Sequence, residues 1–179
     1  MNDEAAHLVD QVLPKVAYRQ WVISFPYKLR FLMAYNQNLT NQILSIFIQT
    51  LNSYQKKKAK RYGIKNAKLG SVTFIQRFGS ALNLNVHFHT LFADGVFYKS
   101  EEEYKFFQLP APTKEELFLL ATKIHSKVGK LIENLGIDEN EQNQSEFEES
   151  LLGDISKISI GQKAGFGERA GSALRRYGI

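Results

Sequence analysis

SVTFIQRFGSALNLNVHFHTLF, residues 71–92, decides the fold, because it places two apolar runs of strand length around a short polar segment. Side chains alternate across a β-strand, so every second residue of the second run shares a face. One face carries Leu84, Val86, Phe88, Thr90 and Phe92, and the other carries Asn83, Asn85, His87, His89 and Leu91. We therefore predict a strand whose apolar face lies in the core and whose polar face presents a ligand site.

The flanking sequence predicts an α+β fold. Further strands are expected at 18–25, 96–98 and 104–109, and Asp94-Gly95 between two apolar runs predicts a hairpin turn. Apolar spacing predicts one helix over 38–62, with Asn38 or Thr40 as its N-cap, and Thr113 with Glu116 predicts a capping box that opens a second helix through about residue 135. This order is typical of an antiparallel sheet with helices packed on it, as in the ferredoxin-like arrangement.

The composition predicts three segments. Residues 1–135 form the expected core, and 136–154 form an acidic linker or insertion. Residues 155–179 form a basic, glycine-rich C-terminal segment.

The charge is uneven along the chain. The net charge is +5, but residues 131–156 hold eight acidic residues and no Lys or Arg, so the rest carries 5 + 8 = +13. A part this basic suits a polyanion such as nucleic acid, although charge that serves solubility alone is nearly as common. The chain has no cysteine, no apolar run of membrane-spanning length and no signal segment, so we expect a cytoplasmic protein that does not engage a membrane.

The His87-Phe88-His89 triplet is the candidate metal site. Two imidazoles on one strand face lie about 6–7 Å apart at Cα, so both rings can reach one ion. Spacing alone favours two ordinary strand histidines, but polar side chains in a central strand are costly unless something pairs with them. Without cysteine, imidazole and oxygen ligands suit Mg²⁺ or Mn²⁺ on a phosphate substrate, or Zn²⁺, and Gln76 is the candidate third ligand.

Phosphodiester chemistry at such an ion would use a tyrosine hydroxyl if the product is a covalent phosphotyrosine. Tyr177, which follows Arg175 and Arg176, is the candidate. DNA contacts are expected from these two arginines and from the basic run at the end of the first helix, although a solvated helix end explains that run equally well. The run is Lys56, Lys57, Lys58, Lys60 and Arg61. His7 and His125 are interpreted as structural or surface residues.

Residues 5–35 and 71–97, including FIQRFGSALNLN followed by HFH, closely resemble the two-tyrosine HUH transposases of rolling-circle insertion sequences. The resemblance covers roughly residues 5–109 well and extends more loosely to the glycine-rich C-terminal end. It implies a ferredoxin-like HUH endonuclease core that nicks and rejoins single-stranded DNA at the ends of a mobile element. In that family the two histidines bind a divalent metal, and tyrosines on a later helix form a 5′-phosphotyrosine intermediate.

The sequence departs from the family in two respects. The family commonly carries a Cys-rich zinc segment, which is missing here, and its catalytic tyrosines normally lie beyond the last residue of this chain. Tyr177 is the candidate nucleophile, but the resemblance does not assign it to either of these two tyrosines. Two alternatives therefore stay open, namely a transposase remnant that binds DNA and metal without cleavage, and an unrelated metal hydrolase that uses His87, His89 and water.

Overall fold

The computed structural model describes residues 7, 11–79, 82–137, 159–164 and 175–178. The chain order is β1 (Tyr18–Ser24), α1 (Tyr27–Tyr35), α2 (Gln37–Arg61), β2 (Ser71–Phe78), β3 (Leu84–Ala93), β4 (Gly95–Ser100), β5 (Glu103–Gln108), α3 (Lys114–Asn134), β6 (Ser159–Ala164) and β7 (Arg175–Gly178). The fold is α+β, with antiparallel sheets and three helices packed on them, consistent with a ferredoxin-like core. The predicted fold class is confirmed.

Five strands form the main sheet in the order β2-β3-β1-β6-β7, and every neighbouring pair is antiparallel. The central strand β3 pairs with β1 on one side and β2 on the other, so His87 lies between Ser24 and Gln76, and His89 lies between Val22 and Phe74. This register fixes which side chains share the histidine face of the sheet.

The three helices pack against the other face of the sheet. Trp21, Ile23, Phe88 and Phe92 point there and form one buried cluster with apolar side chains of all three helices. From α2 these are Leu39, Ile43, Phe47 and Leu51, at the spacing of an amphipathic helix. Trp21, Phe88 and Phe92 are fully buried in this cluster, so the sheet is anchored to the helices through the face opposite the histidines.

Both predicted helices are present, but one helix cap differs from the prediction and one further helix was not predicted. The capping box of Thr113 and Glu116 is present at the start of α3, as predicted. The cap of α2 is neither Asn38 nor Thr40 but Asn36, whose side-chain oxygen accepts a hydrogen bond from the Leu39 amide at 2.9 Å. The helix α1 was not predicted, because its nine residues bury only Leu29 and Met33 and give a weak periodic signal.

The predicted hairpin at Asp94-Gly95 is wrong. β3 and β4 do not pair with each other, since β4 pairs with β5 in a separate two-stranded sheet. Asp94 instead binds the Arg19 guanidinium with two hydrogen bonds of 2.8 Å. Glycine is needed at 95 because a Cβ there would lie 2.2 Å from the Phe107 carbonyl oxygen. The Asp-Gly pair therefore marks a strand leaving one sheet for another.

The C-terminal segment contributes to the main sheet, which sequence reasoning missed. β6 pairs with β1, and β7 pairs with β6. The sheet is therefore not confined to residues 1–135. The predicted acidic linker lies almost wholly outside the described residues, and the three-segment division stays a prediction.

Candidate functional site

The two histidines lie side by side on the middle strand of the sheet. Their ring centroids are 4.8 Å apart, and the ring planes are inclined at 62°. Both belong to the row of β3 that alternates with the buried core residues Val86, Phe88 and Thr90. The predicted division of this strand into an apolar and a polar face is confirmed.

Each ring is held through its Nδ1 atom. His87 Nδ1 lies 2.5 Å from the Asn85 carbonyl oxygen, and because a carbonyl only accepts, the ring must donate from Nδ1. The lone pair of His87 then lies on Nε2. His89 Nδ1 lies 2.9 Å from the side-chain amide of Gln20 on the neighbouring strand β1.

His89 Nε2 is buried and has no hydrogen-bond partner within the described part of the chain. A buried polar atom left without a partner costs about 1–3 kcal/mol. The Gln20 amide can turn by 180° and present its oxygen to Nδ1, which would move the ring proton there and leave a lone pair on Nε2. Burial, followed by the nearby His87, lowers the pKa of His89, which favours the neutral ring that a metal ligand requires.

The third ligand is not evident from the geometry. Gln76 lies directly opposite His87 in register, as a ligand would, but its exposed side-chain amide donates to the Phe78 carbonyl at 3.1 Å. Among the described residues, no group of three or more His, Cys, Asp or Glu side chains is placed to share an ion. Gln76 stays a prediction as a metal ligand.

The elements around the histidines carry no acidic side chain at all. Residues 11–93 contain no Asp or Glu, and they contain twelve basic residues. These are Lys15, Arg19, Lys28, Arg30, Lys56, Lys57, Lys58, Lys60, Arg61, Lys65, Lys68 and Arg77. The helices α1 and α2 and the strands β1, β2 and β3 therefore contain no acidic residue, which favours an anionic partner near the histidines.

The basic run at the end of α2 does not lie at the histidine pair, because α2 covers the opposite face of the sheet. Lys57 and Arg61 are exposed and line a groove of about 210 Å³ between α2 and α3, together with Lys123. Lys56 and Lys60 are also exposed. These four residues of the run stay predicted DNA contacts, on the helical side of the molecule.

Lys58 must be removed from the predicted DNA contacts. Its side chain is 8% exposed, and its ammonium donates to Glu116 Oε2 at 2.6 Å, to the Tyr54 hydroxyl at 2.9 Å and to the Ala111 carbonyl at 3.4 Å. The hydroxyl of Tyr54 in turn donates to Glu116 at 2.9 Å. A buried ammonium with three acceptors has no donor left for a phosphate, so its role is to join α2 to α3.

Arg175, Arg176 and Tyr177 lie on β7 at the far edge of the sheet. Following the register from β7 through β6 and β1 to β3, Arg176 is in line with Val22 and His89. Tyr177 is in line with Ile23 and Phe88, and Arg175 occupies the same alternate register as Tyr177. The role of Tyr177 as nucleophile stays a prediction.

Two residues that contact the histidine strand were not predicted from the sequence. Gln20 reaches His89 from β1, and Arg30 of α1 donates to the Asn85 side chain at 2.6 Å. Gln20 alternates with Trp21 and Ile23, so the period-two pattern of β1 could have placed it on the polar face. No local signal could have revealed Arg30, because α1 itself was not recognised.

No helix among the residues that the structure describes is long and apolar enough to cross a membrane.

Comparison with known proteins gives one informative match. Among curated proteins, none matches the chain. A solved phage SAM lyase in complex with S-methyl-5′-thioadenosine covers 95% of both chains, but its identity of 7% and TM-score of 0.28 are too low to transfer a fold or a ligand. The model of the family described as "Putative transposase" matches residues 70–178, which include the histidine strand and both C-terminal strands. This match spans more than half of the sequence, so the chain belongs to that transposase family.

Proposed function

We propose that this protein cleaves and rejoins single-stranded DNA during transposition, in a reaction that requires a divalent metal held by His87 and His89. Membership of a transposase family supports a DNA-processing role. The observation that carries the proposal is the pair of facing imidazoles, 4.8 Å apart, on a strand bordered only by basic and neutral elements.

The residues present fit a metal. His87 is fixed with a lone pair on Nε2, and the buried Nε2 of His89 lacks a partner among the described residues, which is the state of an atom that awaits a ligand. Imidazole with amide or water oxygens suits Mn²⁺, Mg²⁺ or Zn²⁺. Bound there, the ion would act as a Lewis acid on the scissile phosphate.

The protein supplies orientation and charge. The Asn85 carbonyl and the Gln20 side-chain amide hold the two rings by Nδ1 and so fix the orientation of the rings, and turning the Gln20 amide by 180° frees the lone pair of His89 Nε2 for a ligand. The absence of carboxylates in residues 11–93 avoids repulsion of a phosphate backbone close to the site. Single-stranded DNA can therefore approach the histidine face without meeting a negative side chain from these elements.

The proposed chemical step is attack by a tyrosine hydroxyl oxygen on phosphorus. The phenol proton passes to a base or to water, the bond from phosphorus to the 3′ oxygen breaks, and the 3′ oxygen leaves as a hydroxyl. The DNA 5′ phosphate is then esterified to the tyrosine, and the reverse reaction rejoins the strand. Tyr177 is the proposed nucleophile.

A second candidate function is binding of DNA and metal without cleavage. The register of β7 favours it, because the position of Tyr177 alternates with the histidine row. In this case His87 and His89 would position a phosphate that no tyrosine attacks.

A gel assay with end-labelled single-stranded DNA and Mn²⁺ separates these functions. The nicking reaction predicts a shortened product and a protein–DNA adduct that survive denaturation, and both should disappear with EDTA or with His87→Ala. The matched control is His125→Ala, a histidine of α3 outside the site, which should cleave normally.

The outcomes are distinct. Loss of the adduct in Tyr177→Phe identifies the nucleophile, and an active Tyr177→Phe excludes it. Salt-sensitive binding without product supports the non-cleaving candidate, whereas a product without an adduct indicates hydrolysis by water and refutes the tyrosine mechanism.

A further inference from the structure

The outer face of α1 carries three aromatic rings in a row. Tyr27, Phe31 and Tyr35 follow one another at intervals of four residues, while Leu29 and Met33 bury the opposite face in the core. The three residues are 65%, 48% and 79% exposed. Three exposed aromatic side chains on a nine-residue helix leave apolar surface in water that would be more stable if it were buried. A contiguous stripe of this kind marks an interaction surface.

The amino-terminal end of α1 lies near the strand that carries the histidine pair. Ser24 lies opposite His87 in the sheet, and α1 begins three residues later, at Tyr27. Three residues span at most about 11 Å, so Tyr27 lies within that distance of Ser24 at Cα. The Arg30–Asn85 hydrogen bond of 2.6 Å fixes the helix to the same strand, two residues before His87.

The dimensions of the stripe suit stacked bases. From Tyr27 to Tyr35 the helix rises about 12 Å, which is the length of about three nucleotides stacked at 3.4 Å. The rings of Phe31 and Tyr35 already contact each other, with centroids 4.8 Å apart. Flat aromatic surfaces bind the π-faces of unpaired bases with little sequence preference.

The charges around the stripe match the phosphates of the same ligand. The helix α1 contains no acidic residue, and neither does any part of the chain from residue 11 to residue 93. Arg77 reaches the end of the helix, where its guanidinium donates to the Ala34 carbonyl at 3.0 Å. Aromatic rings beside basic groups, without carboxylates, are the composition of a single-strand nucleic-acid track.

We propose that Tyr27, Phe31 and Tyr35 form a base-stacking platform that binds single-stranded DNA and leads it to the His87–His89 pair. This inference rests on the proposed function, because it takes single-stranded DNA as the ligand of the histidine site. The platform supplies affinity through the bases, while the basic residues supply affinity through the phosphates.

The test compares a normal and a base-free ligand without metal, so that binding is measured in the absence of cleavage. The probes are fluorescein-labelled oligothymidylate of about 15 nucleotides and an abasic oligomer of equal length, followed by fluorescence anisotropy. Both carry the same phosphates, and only the first can stack. The platform predicts tighter binding of oligothymidylate by the unmodified protein.

The triple variant Tyr27→Ala, Phe31→Ala, Tyr35→Ala should lose this preference, with affinity for oligothymidylate falling about five-fold or more for each base that loses its ring. Its affinity for the abasic oligomer should not change. The triple variant Tyr27→Phe, Phe31→Tyr, Tyr35→Phe keeps every ring and should bind normally. Tyr104→Ala with Phe118→Ala removes two exposed rings from β5 and α3 and is the matched control.

Equal binding of oligothymidylate by the alanine variant and the unmodified protein would overturn the platform and leave the proposed function intact. An equal loss for both oligomers would also overturn it, because the rings would then act without the bases. A changed oligomeric state or a large fall in melting temperature would show that another surface covers the stripe, which contradicts the proposal. If the unmodified protein binds neither oligomer, the proposed function fails together with the platform.

Discussion

Replacing Lys58 by Met tests the buried link between α2 and α3. The ammonium donates to Glu116, Tyr54 and the Ala111 carbonyl, and the side chains of Lys58 and Glu116 are 8% and 20% exposed. Methionine fills the space of the lysine stem but leaves the carboxylate without its main counter-charge.

The expected loss is about 2–3 kcal/mol in the free energy of unfolding. Breaking a fully buried ion pair costs about 3–5 kcal/mol. The loss should be smaller here because Glu116 is partly exposed and keeps hydrogen bonds from the Tyr54 hydroxyl and the Thr113 amide. Urea denaturation at pH 7 measures it.

The effect should depend on pH with a defined sign. Burial raises the pKa of Glu116, but hydrogen bonds from Lys58, from the Thr113 amide and from Tyr54 outweigh it, so the folded pKa lies below the ordinary value of 4.5. The stabilisation from a lowered carboxyl pKa is complete above pH 4.5 and is lost as the pH falls through the folded pKa. The difference between the unmodified protein and Lys58→Met should therefore shrink as the pH falls below 4.5 and through the folded pKa of Glu116.

The double variant Lys58→Met, Glu116→Gln supplies the control. It removes both charges and leaves no buried carboxylate unpaired, so it should be more stable than Lys58→Met alone. A cost below about 0.5 kcal/mol for Lys58→Met, the usual limit for surface substitutions, would refute the buried pair and restore Lys58 as a free surface cation.

Other substitutions test the turn, the helix cap and the basic run. Gly95→Ala should lower the free energy of unfolding by about 1–3 kcal/mol or more, because the added Cβ would meet the Phe107 carbonyl oxygen. Gly70→Ala is the control, since a Cβ there has open space and should not change stability. Equal melting temperatures for the two variants would contradict the close approach at Gly95. Thr113→Ala should cost about 1 kcal/mol by loss of the α3 cap, and an unchanged urea midpoint would disprove the capping box. Lys57→Met should reduce the slope of log affinity for single-stranded DNA against log salt by about 0.7, and an unchanged slope would place DNA away from the groove.

Local patterns were sufficient for most elements of the fold. The alternation in residues 84–92 predicted both faces of β3, and the structure buries Val86, Phe88 and Phe92 while His87 and His89 share the other row. The capping box at Thr113 was readable because its two partners are three residues apart. These features can be predicted from the sequence because the residues that form them are close together along the chain.

The failures have a common physical cause. The Asp94-Gly95 pair carries a hairpin signal, but a guanidinium 75 residues away and a carbonyl of β5 decide its conformation. Lys58 looks like its neighbours in sequence, yet the rotation of α2 turns it towards Glu116 of α3. In both cases a partner distant in sequence decides the outcome.

The sequence by itself determined that His87 and His89 share one strand face, because alternation is a local property of extended backbone. Only the tertiary structure decided what surrounds them, since β1 and β2 bring Gln20 and Gln76 to the two sides of β3, and α1 brings Arg30 to Asn85. The register of β6 and β7 likewise placed Tyr177 in the alternate row. Pairing between distant segments depends on the packing of the whole sheet against its helices, and no single stretch of the sequence contains that information.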